Sequence, residues 1–258
     1  MNWSEATLLC LAALVAGAAN SIAGGGSFIT FPALLFTGMP PVNANATNTV
    51  AVWPGILAST FSYRKALSRA LLRSVAPLII VTLVGSVAGA WLLLHTPQLT
   101  FMKMVPWLLL AGTILFAFGS RITRWVNRRH ADRGPSKVMI AGVSFVQFLV
   151  GVYIGYYGVG VGFIILPLLS LMGIENIHSM NGLRILLATC GNAIAVVLFI
   201  VAGAVIWPQA LVMMVGAIAG GYLGAQFAQK LNQKTMRYVV IAIGCGMTVY
   251  FFWKTWGM

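Results

Sequence analysis

A glycine-broken apolar segment occurs twice in this chain, and the two copies share one register. The first copy, AGGGSFITFP, spans Ala23 to Pro32, and the second, GVGVGFIILP, spans Gly158 to Pro167. The shift of 135 positions that lays Gly25 on Gly160 also matches glycines outside the segment, namely Gly38 with Gly173, Gly85 with Gly220, and Gly89 with Gly224. A register that holds across both halves indicates duplication. Duplicated halves with glycine-interrupted apolar segments are typical of secondary transporters.

The rest of the chain is too apolar for a water-soluble surface. Hydrophobic residues make up 60% of the sequence, charged residues 7%, and the mean hydropathy is +0.93. Long uninterrupted apolar stretches predict helices rather than a barrel, whose strands would alternate over about ten residues. We therefore expect an all-α integral membrane protein. Cys10, Cys190 and Cys245 lie in apolar stretches without pairing or metal spacing, so we interpret them as packing residues.

Each half is predicted to contain one glycine-broken hairpin and three spanning helices. In the first half a span over 5–22 leads into a short piece over 28–37, and full spans follow over 44–63, 75–94 and 102–119. The second half repeats this plan over 138–157, 163–172, 180–201, 209–228 and 236–253. The expected organisation is a first membrane repeat (1–119), a basic cytoplasmic linker (120–137) and a second membrane repeat (138–258).

The basic residues lie in the short connections between spans, and they indicate how the halves are oriented. A net charge of +13 would suggest nucleic acid in a soluble protein, but here it matches the excess of Lys and Arg in cytoplasmic loops, so no nucleic-acid partner is expected. If each broken element crossed the membrane once, the basic residues outside would be Lys103, Arg184, Lys230, Lys234 and Arg237. If each is a hairpin, the second half is inverted and only Lys103 and Lys254 lie outside. We therefore expect inverted repeats with both termini outside.

Two inverted hairpins would bring their glycine tips together near the middle of the membrane, where transporter substrate sites lie. Short helices beginning near Ser27 and Gly162 would direct unpaired backbone N–H groups and positive dipole ends into that space, and such ends bind anions. A helix kink or packing notch is the alternative, but two copies in register favour a site. The candidate substrate-binding residues at the tips are Gly24, Gly25, Gly26, Ser27, Gly160 and Gly162.

The spans that follow the hairpins carry polar residues that hydrocarbon alone would not favour. A one-residue slip of the register aligns Asn45 with Asn181 and Asn48 with Arg184. Residues three apart share a helix face, so both pairs can address one cavity. A guanidinium within a span usually marks a ligand or ion path, although Arg184 could instead reach the cytoplasmic interface. The asparagines could also form interhelical hydrogen bonds.

Acidic residues are nearly absent, because the sequence contains only Glu5, Asp132 and Glu175, none of them deep in a span. A carboxylate site for a coupling proton or sodium ion is therefore missing. Outward movement of an anion needs none, since a potential of 100 mV supplies about 2.3 kcal/mol per charge. Uptake would need coupling through a group such as Glu175 or His178, which could be a gate or a solvated turn. No metal cluster, phosphate loop or cofactor motif occurs in the sequence.

With these motifs in place, the chain resembles the TauE/SafE family of sulfite exporter-like anion permeases. The resemblance rests on GGGSFITFPALL and NANATNTVAVWPG in the first half and on GVGVGFIILPLL and HSMNGLRILLAT in the second, and it covers nearly the whole chain. It implies transport of sulfur-containing oxyanions, such as sulfite, sulfonates or thiosulfate, across the bacterial inner membrane. Val161 departs from the pattern, since the family often has another glycine there, which implies a stiffer hairpin tip or a different ligand.

We expect a carrier that exports a small anion by alternating access, with that anion and the lipid bilayer as its partners. An anion channel shares every residue argument and differs in gating and turnover. An intramembrane enzyme, with Ser27 or Cys190 as nucleophile and His178 as base, lacks an adjacent set of nucleophile, base and orienting group. Small-residue faces, such as the one with Gly85 and Gly89, are compatible with a homodimer but are also needed within one chain.

Overall fold

The computed structural model describes residues 1–22, 25–64, 67–130, 136–174, 176–227 and 233–256. Within these ranges the chain forms ten α-helices and no strand, which confirms the all-α prediction. The helices are α1 (Trp3–Ile22), α2 (Ser27–Phe36), α3 (Pro41–Ser62), α4 (Arg69–Leu94), α5 (Gln98–His130), α6 (Lys137–Tyr156), α7 (Gly162–Leu171), α8 (Ile177–Val201), α9 (Trp207–Phe227) and α10 (Gln233–Trp256).

Two of these helices, α2 and α7, are short and built alike. Each has 10 residues, so it rises about 15 Å and reaches about halfway through a hydrocarbon core. Each is followed by a glycine with a left-handed backbone, Gly38 or Gly173, both with φ of 77°. Such a glycine ends a helix by allowing the chain to turn away from the helical path. The short pieces predicted after both glycine breaks are thus confirmed.

Six helices in the described part of the chain are long and apolar enough to cross a membrane, namely α1, α4, α5, α6, α8 and α10. Their outer surface suits lipid, because large apolar side chains such as Ile80, Val84 and Val249 are more than half exposed. Helix α3 is also long, with 22 residues, but its first half carries asparagines and threonines. Most of these polar side chains are buried, so α3 lies inside the bundle with its polar face turned away from lipid.

Helix α5 continues beyond the span predicted for it. The span prediction ended at Gly119 because the apolar run ends there, but the helix extends to His130. The residues after Gly119 include several arginines, which favour helix. The first part of the predicted linker is therefore a helical extension of the preceding span.

The helices of one half pack mainly against helices of the other half. Helix α1, the first of its half, lies along α9, and its equivalent α6 lies along α4. In the same way α3 contacts α9 while α8 contacts α4, and α5 contacts α7 while α10 contacts α2. The main contacts between the halves thus occur in equivalent pairs, and the two halves form one intertwined bundle.

Glycines allow the backbones of these paired helices to touch. A Cβ atom at Gly89 of α4 would overlap the carbonyl oxygen of Val152 in α6. A Cβ atom at Gly220 of α9 would overlap the carbonyl oxygen of Leu14 in α1. The predicted small-residue faces are therefore confirmed as packing faces within the chain, as is common where helices associate in lipid.

Gly155→Ala should destabilise the bundle, because its new methyl group would overlap the backbone oxygen of Ser86. Overpacking of an interior typically costs about 1–3 kcal/mol. Gly142→Ala on the same helix is the matched control, since nothing lies within 4 Å of its Cβ position. Thermal unfolding of the detergent-solubilised variants should give a lower midpoint for Gly155→Ala and an unchanged or higher one for Gly142→Ala. Equal midpoints would contradict the backbone contact.

Candidate functional site

Both glycine breaks reverse the chain through left-handed backbone conformations. Gly25 in the first break has φ of 91°, and Gly158 and Gly160 in the second have φ of 70° and 76°. Residues with side chains rarely adopt these angles. Helix α2 then begins at Ser27 and α7 at Gly162, so each break leads into a helix N-terminus.

A cavity of about 90 Å³ lies between the two breaks. One water molecule needs about 10–15 Å³ of such volume, so the cavity has room for a ligand of several atoms. Both breaks contribute to its wall, together with side chains from α1, α3 and α8. The lining residues are Asn20, Gly25, Ser27, Ile56, Ser59, Gly158, Val159, Gly160, Val161, Gly162, Arg184, Ile185, Ala188 and Asn192.

Arg184 gives the cavity a full positive charge. Helix α8 places its side chain against the first turn of α7, where a Cβ atom at Gly162 would lie 3.1 Å from both Cδ and Nη1 of Arg184. The Nε atom is buried and has no hydrogen-bond partner in the described part of the chain. None of the described residues that line the cavity is acidic. A guanidinium held in a membrane protein without a carboxylate is costly unless another group neutralises it.

The N-termini of α2 and α7 add to this positive potential. Their N-cap residues are Gly26 and Val161, and neither provides a side-chain cap. The first turn of a helix carries unpaired N–H groups and about half a positive charge. The amide of Gly26 donates a hydrogen bond of 2.7 Å to Oδ1 of Asn20, which fixes the end of α1 to the start of α2. Together with Arg184, these termini make the cavity suitable for an anion.

The structure brings part of the predicted site into this cavity. Gly26 does not line the cavity. It packs against α1, where a Cβ atom would overlap the carbonyl oxygen of Ala16. Gly24 and Glu175 lie outside the residues that the structure describes. The predicted residues that line the cavity are Gly25, Ser27, Gly160, Gly162 and Arg184.

The other predicted residues lie away from the lining. Asn45 is buried, and its Nδ2 donates a hydrogen bond of 3.0 Å to the carbonyl oxygen of Tyr156. This is the kind of interhelical contact that the sequence left open for the asparagines. Asn48 is also buried, Asn181 is half-buried and His178 is exposed.

Three polar side chains of the lining were not predicted, namely those of Asn20, Ser59 and Asn192. Asn192 lies two helical turns after Arg184, with Ala188 between them, so the three residues share one face of α8. That spacing could have identified Asn192. Asn20 enters the site through its contact with Gly26, and no local pattern in the sequence reveals this contact.

The cavity offers binding groups rather than a catalytic set. Ser27 lines it, but His178 and Cys190, the other residues of the enzyme hypothesis, do not. Among the described residues, no group of three His, Cys, Asp or Glu side chains could hold a metal ion. The chemistry of the site is therefore hydrogen-bond donation and positive charge.

Comparisons with known proteins indicate a membrane transporter. The family model described as Sulfite exporter TauE/SafE matches residues 9–251. A probable membrane transporter protein of Haemophilus influenzae is 32% identical over 94% of this chain and 92% of its own length. The probable membrane transporter protein YfcA of Escherichia coli K12 is 30% identical over 97% of this chain and 90% of its own length. No solved structure matches the chain.

The family match spans nearly the whole chain, and the two relatives named as probable membrane transporters are matched over at least 90% of their own length. These names agree with the six long apolar helices of the described part of the chain. The protein is a multi-pass membrane transporter and not an enzyme. The chain belongs to the TauE/SafE sulfite exporter family.

Proposed function

We propose that the protein carries a small sulfur-containing oxyanion of the sulfite, sulfonate or thiosulfate class, and that this anion binds in the cavity between the glycine breaks. The observation that supports this most strongly is the Arg184 guanidinium, which lies against the α7 N-terminus with a buried Nε that lacks a partner among the described residues. Arginine binds oxyanions through paired, charge-assisted hydrogen bonds. An oxyanion would supply both the missing acceptors and the missing charge. The description of the family suggests the sulfur class.

The charges of the protein favour export. Glu5 lies near the N-terminus, where it accepts a hydrogen bond from the Asn2 amide, and it does not line the cavity. Asp132 and Glu175 lie outside the described residues. An anion that leaves the cytoplasm moves with an inside-negative potential, which is worth about 2.3 kcal/mol per charge at 100 mV. Uniport-like export therefore needs no coupling ion, whereas uptake would need one.

The two halves are proposed to be inverted repeats, and the course of α3 and α8 supports this. Trp53, in the middle of α3, donates a hydrogen bond of 3.1 Å to the carbonyl oxygen of Thr189 in α8. Tyr63, after the end of α3, lies beside Gly182 near the start of α8. These equivalent helices therefore run in opposite directions, as inversion requires.

Helices α5 and α10, which are also equivalent, run in opposite directions as well. Trp107 packs on Phe252 with ring centroids 4.9 Å apart, while Thr113, further along α5, contacts Gly244, which is earlier in α10.

Inverted halves joined by a basic cytoplasmic linker place both termini outside, because most Lys and Arg residues then face the cytoplasm. We propose this orientation in the bacterial inner membrane, with the repeats at 1–119 and 138–258.

Transport would occur when the two halves rock about the glycine breaks and expose the cavity to each side in turn. An anion channel would use the same lining residues but would not require this alternation. The two mechanisms differ in measurable ways, because a carrier saturates with substrate and shows counterflow whereas an open channel does neither.

Arg184→Ala should lower saturable flux of radiolabelled sulfite and thiosulfate in proteoliposomes by about 10- to 150-fold, since a hydrogen bond to a charged group is worth about 1.5–3 kcal/mol. Flux through the native protein should saturate and should follow an imposed membrane potential. Arg73→Ala is the matched control, because Arg73 is exposed on α4 and does not line the cavity.

Arg73→Ala should transport as well as the native protein, and both variants should elute as folded protein in size-exclusion chromatography. Undiminished flux in Arg184→Ala would contradict the assignment of the cavity. Flux that never saturates and shows no counterflow would favour the channel.

A reporter that is active only outside the cytoplasm should be active when fused after Met258, because the inverted arrangement places the C-terminus outside. The same reporter fused after Ser68, in the connection between α3 and α4, should be inactive. Activity in cells that express each fusion measures the orientation. An inactive fusion at Met258 would contradict the inverted arrangement.

A further inference from the structure

Positive charge and hydrogen-bond donors dominate the cavity, but two of its polar side chains present acceptor oxygens. The Ser59 hydroxyl donates a hydrogen bond of 3.0 Å to the carbonyl oxygen of Gly55, one turn earlier in α3. Because its proton is used there, Oγ of Ser59 offers only lone pairs to the cavity that it lines.

The amide of Asn192 is oriented in a similar way. Its Nδ2 donates a hydrogen bond of 2.8 Å to the carbonyl oxygen of Ala188. Since a carbonyl oxygen can only accept, the nitrogen must lie on this side of the amide and Oδ1 on the other. Ser59 and Asn192 are both half-buried, and within the described ranges no donor is directed at either acceptor oxygen. Both oxygens are therefore available to a ligand.

These acceptors lie close to the charged part of the cavity. Oγ1 of Thr60 is 2.6 Å from Oγ1 of Thr189, which lies in α8 between Arg184 and Asn192. Ser59 precedes Thr60 in α3, so it is level with the same part of α8. The hydrogen bond of the Asn192 amide to the preceding turn directs that amide back towards Arg184. One small ion can therefore lie between the guanidinium and the acceptors.

A ligand that satisfies this arrangement needs a negative charge and also a donor. A fully deprotonated sulfite ion has only acceptor oxygens, which would face the lone pairs of Ser59 and Asn192 without a proton between them. Hydrogen sulfite, HOSO₂⁻, carries one negative charge and one O–H donor. Its single charge matches the single guanidinium of Arg184, and it is easier to remove from water, because the cost of burying an ion rises with its charge.

We propose that the cavity selects the singly charged, protonated form of the oxyanion, hydrogen sulfite, and that Ser59 and Asn192 determine this specificity. The inference rests on the proposed function. The charged oxygens of the ion accept hydrogen bonds from Arg184 and the first turn of α7, while its hydroxyl donates to Ser59 or Asn192. A dianion without a proton leaves both acceptors unpaired, and a site that binds a hydroxyl discriminates against analogues that lack one.

Sulfite takes up a proton close to neutral pH, so the proposal predicts that transport depends on pH. Among the described residues, Arg184 is the only ionisable one that lines the cavity, and Tyr63 is near enough to interact with it electrostatically. A guanidinium stays charged and a phenol stays neutral near neutral pH. His178 and Cys190, also on α8, do not line the cavity. The pH dependence should therefore come from the substrate.

The first test measures the KM of the native protein for radiolabelled sulfite in proteoliposomes at several pH values. The pH is equal on both sides, the membrane potential is clamped, and flux into protein-free liposomes is subtracted. On the alkaline side of the proton loss, the KM for total sulfite should rise by about tenfold per pH unit, because the fraction of binding-competent ion falls by that factor.

Thiosulfate is the matched control, because it remains a dianion without a proton over this pH range. Its KM should not change with pH, which separates titration of the substrate from titration of the protein. Its KM should also be about 5- to 150-fold higher than that for hydrogen sulfite, since it leaves a buried acceptor unpaired. A sulfite KM that is constant or falls as the pH rises would overturn the inference.

The second test changes the acceptors. Ser59→Ala and Asn192→Leu should each raise the KM for hydrogen sulfite by about 2- to 12-fold, the value of one neutral hydrogen bond, and should leave the KM for thiosulfate unchanged or lower. Ser74→Ala is the control, because Ser74 donates a similar hydrogen bond to the carbonyl oxygen of Leu71 but is exposed on α4. Both of its KM values should equal those of the native protein.

The outcomes separate this inference from the proposed function. If Ser59→Ala and Asn192→Leu raise the KM for both substrates equally, these residues only support the cavity and do not select the protonated ion. If saturable flux is found but does not follow hydrogen sulfite, the carrier function stands and the inference fails. Absence of saturable flux for any sulfur oxyanion at any pH would overturn the proposed function itself.

Discussion

The structure depends on the positive charge of Arg184, which is held inside the membrane domain without a carboxylate partner among the described residues. Hydrocarbon offers neither water nor counter-ions, so a guanidinium is stable there only beside polar groups or a ligand. Arg184 lies against Gly162 and lines a cavity that also contains two helix N-termini and two asparagine side chains. All of these groups favour a negative charge, and no lining residue that the structure describes provides one. The charge and the hydrogen-bond donors of the cavity are complementary to an anion, which is why we propose an anionic substrate.

Close packing between the two halves holds these groups in place. Since lipid is as apolar as the side chains, helices in a membrane gain little by hiding apolar surface, and they associate through close contact and hydrogen bonds. Gly89 and Gly220 allow such contact in the equivalent pairs α4 with α6 and α1 with α9. Because each half supplies the packing surface of the other, both glycine breaks face a single cavity.

The sequence predicted the helices well, because apolar runs and glycine breaks are local signals. Both short helices begin where the glycines end. Helix α5 extends past its predicted end, because the arginines after the apolar run still favour helix. The site was harder to predict. Gly25 and Arg184 could be chosen by residue type, but Asn20 and Ser59 reach the cavity only through packing between helices. Asn45 and Asn48 share a predicted face, yet both are buried away from the cavity lining, and Asn45 donates a hydrogen bond to the carbonyl oxygen of Tyr156.

The most direct test of the central claim is to locate an anion in the protein. Selenite has the shape and charge of sulfite, and its selenium can be located by anomalous scattering in crystals of the native protein. Selenium should lie in the cavity, with oxygens about 2.7–2.9 Å from the guanidinium nitrogens of Arg184. Selenium found only outside the cavity, or an empty cavity at selenite concentrations that saturate transport, would contradict the claim that this cavity binds the transported anion.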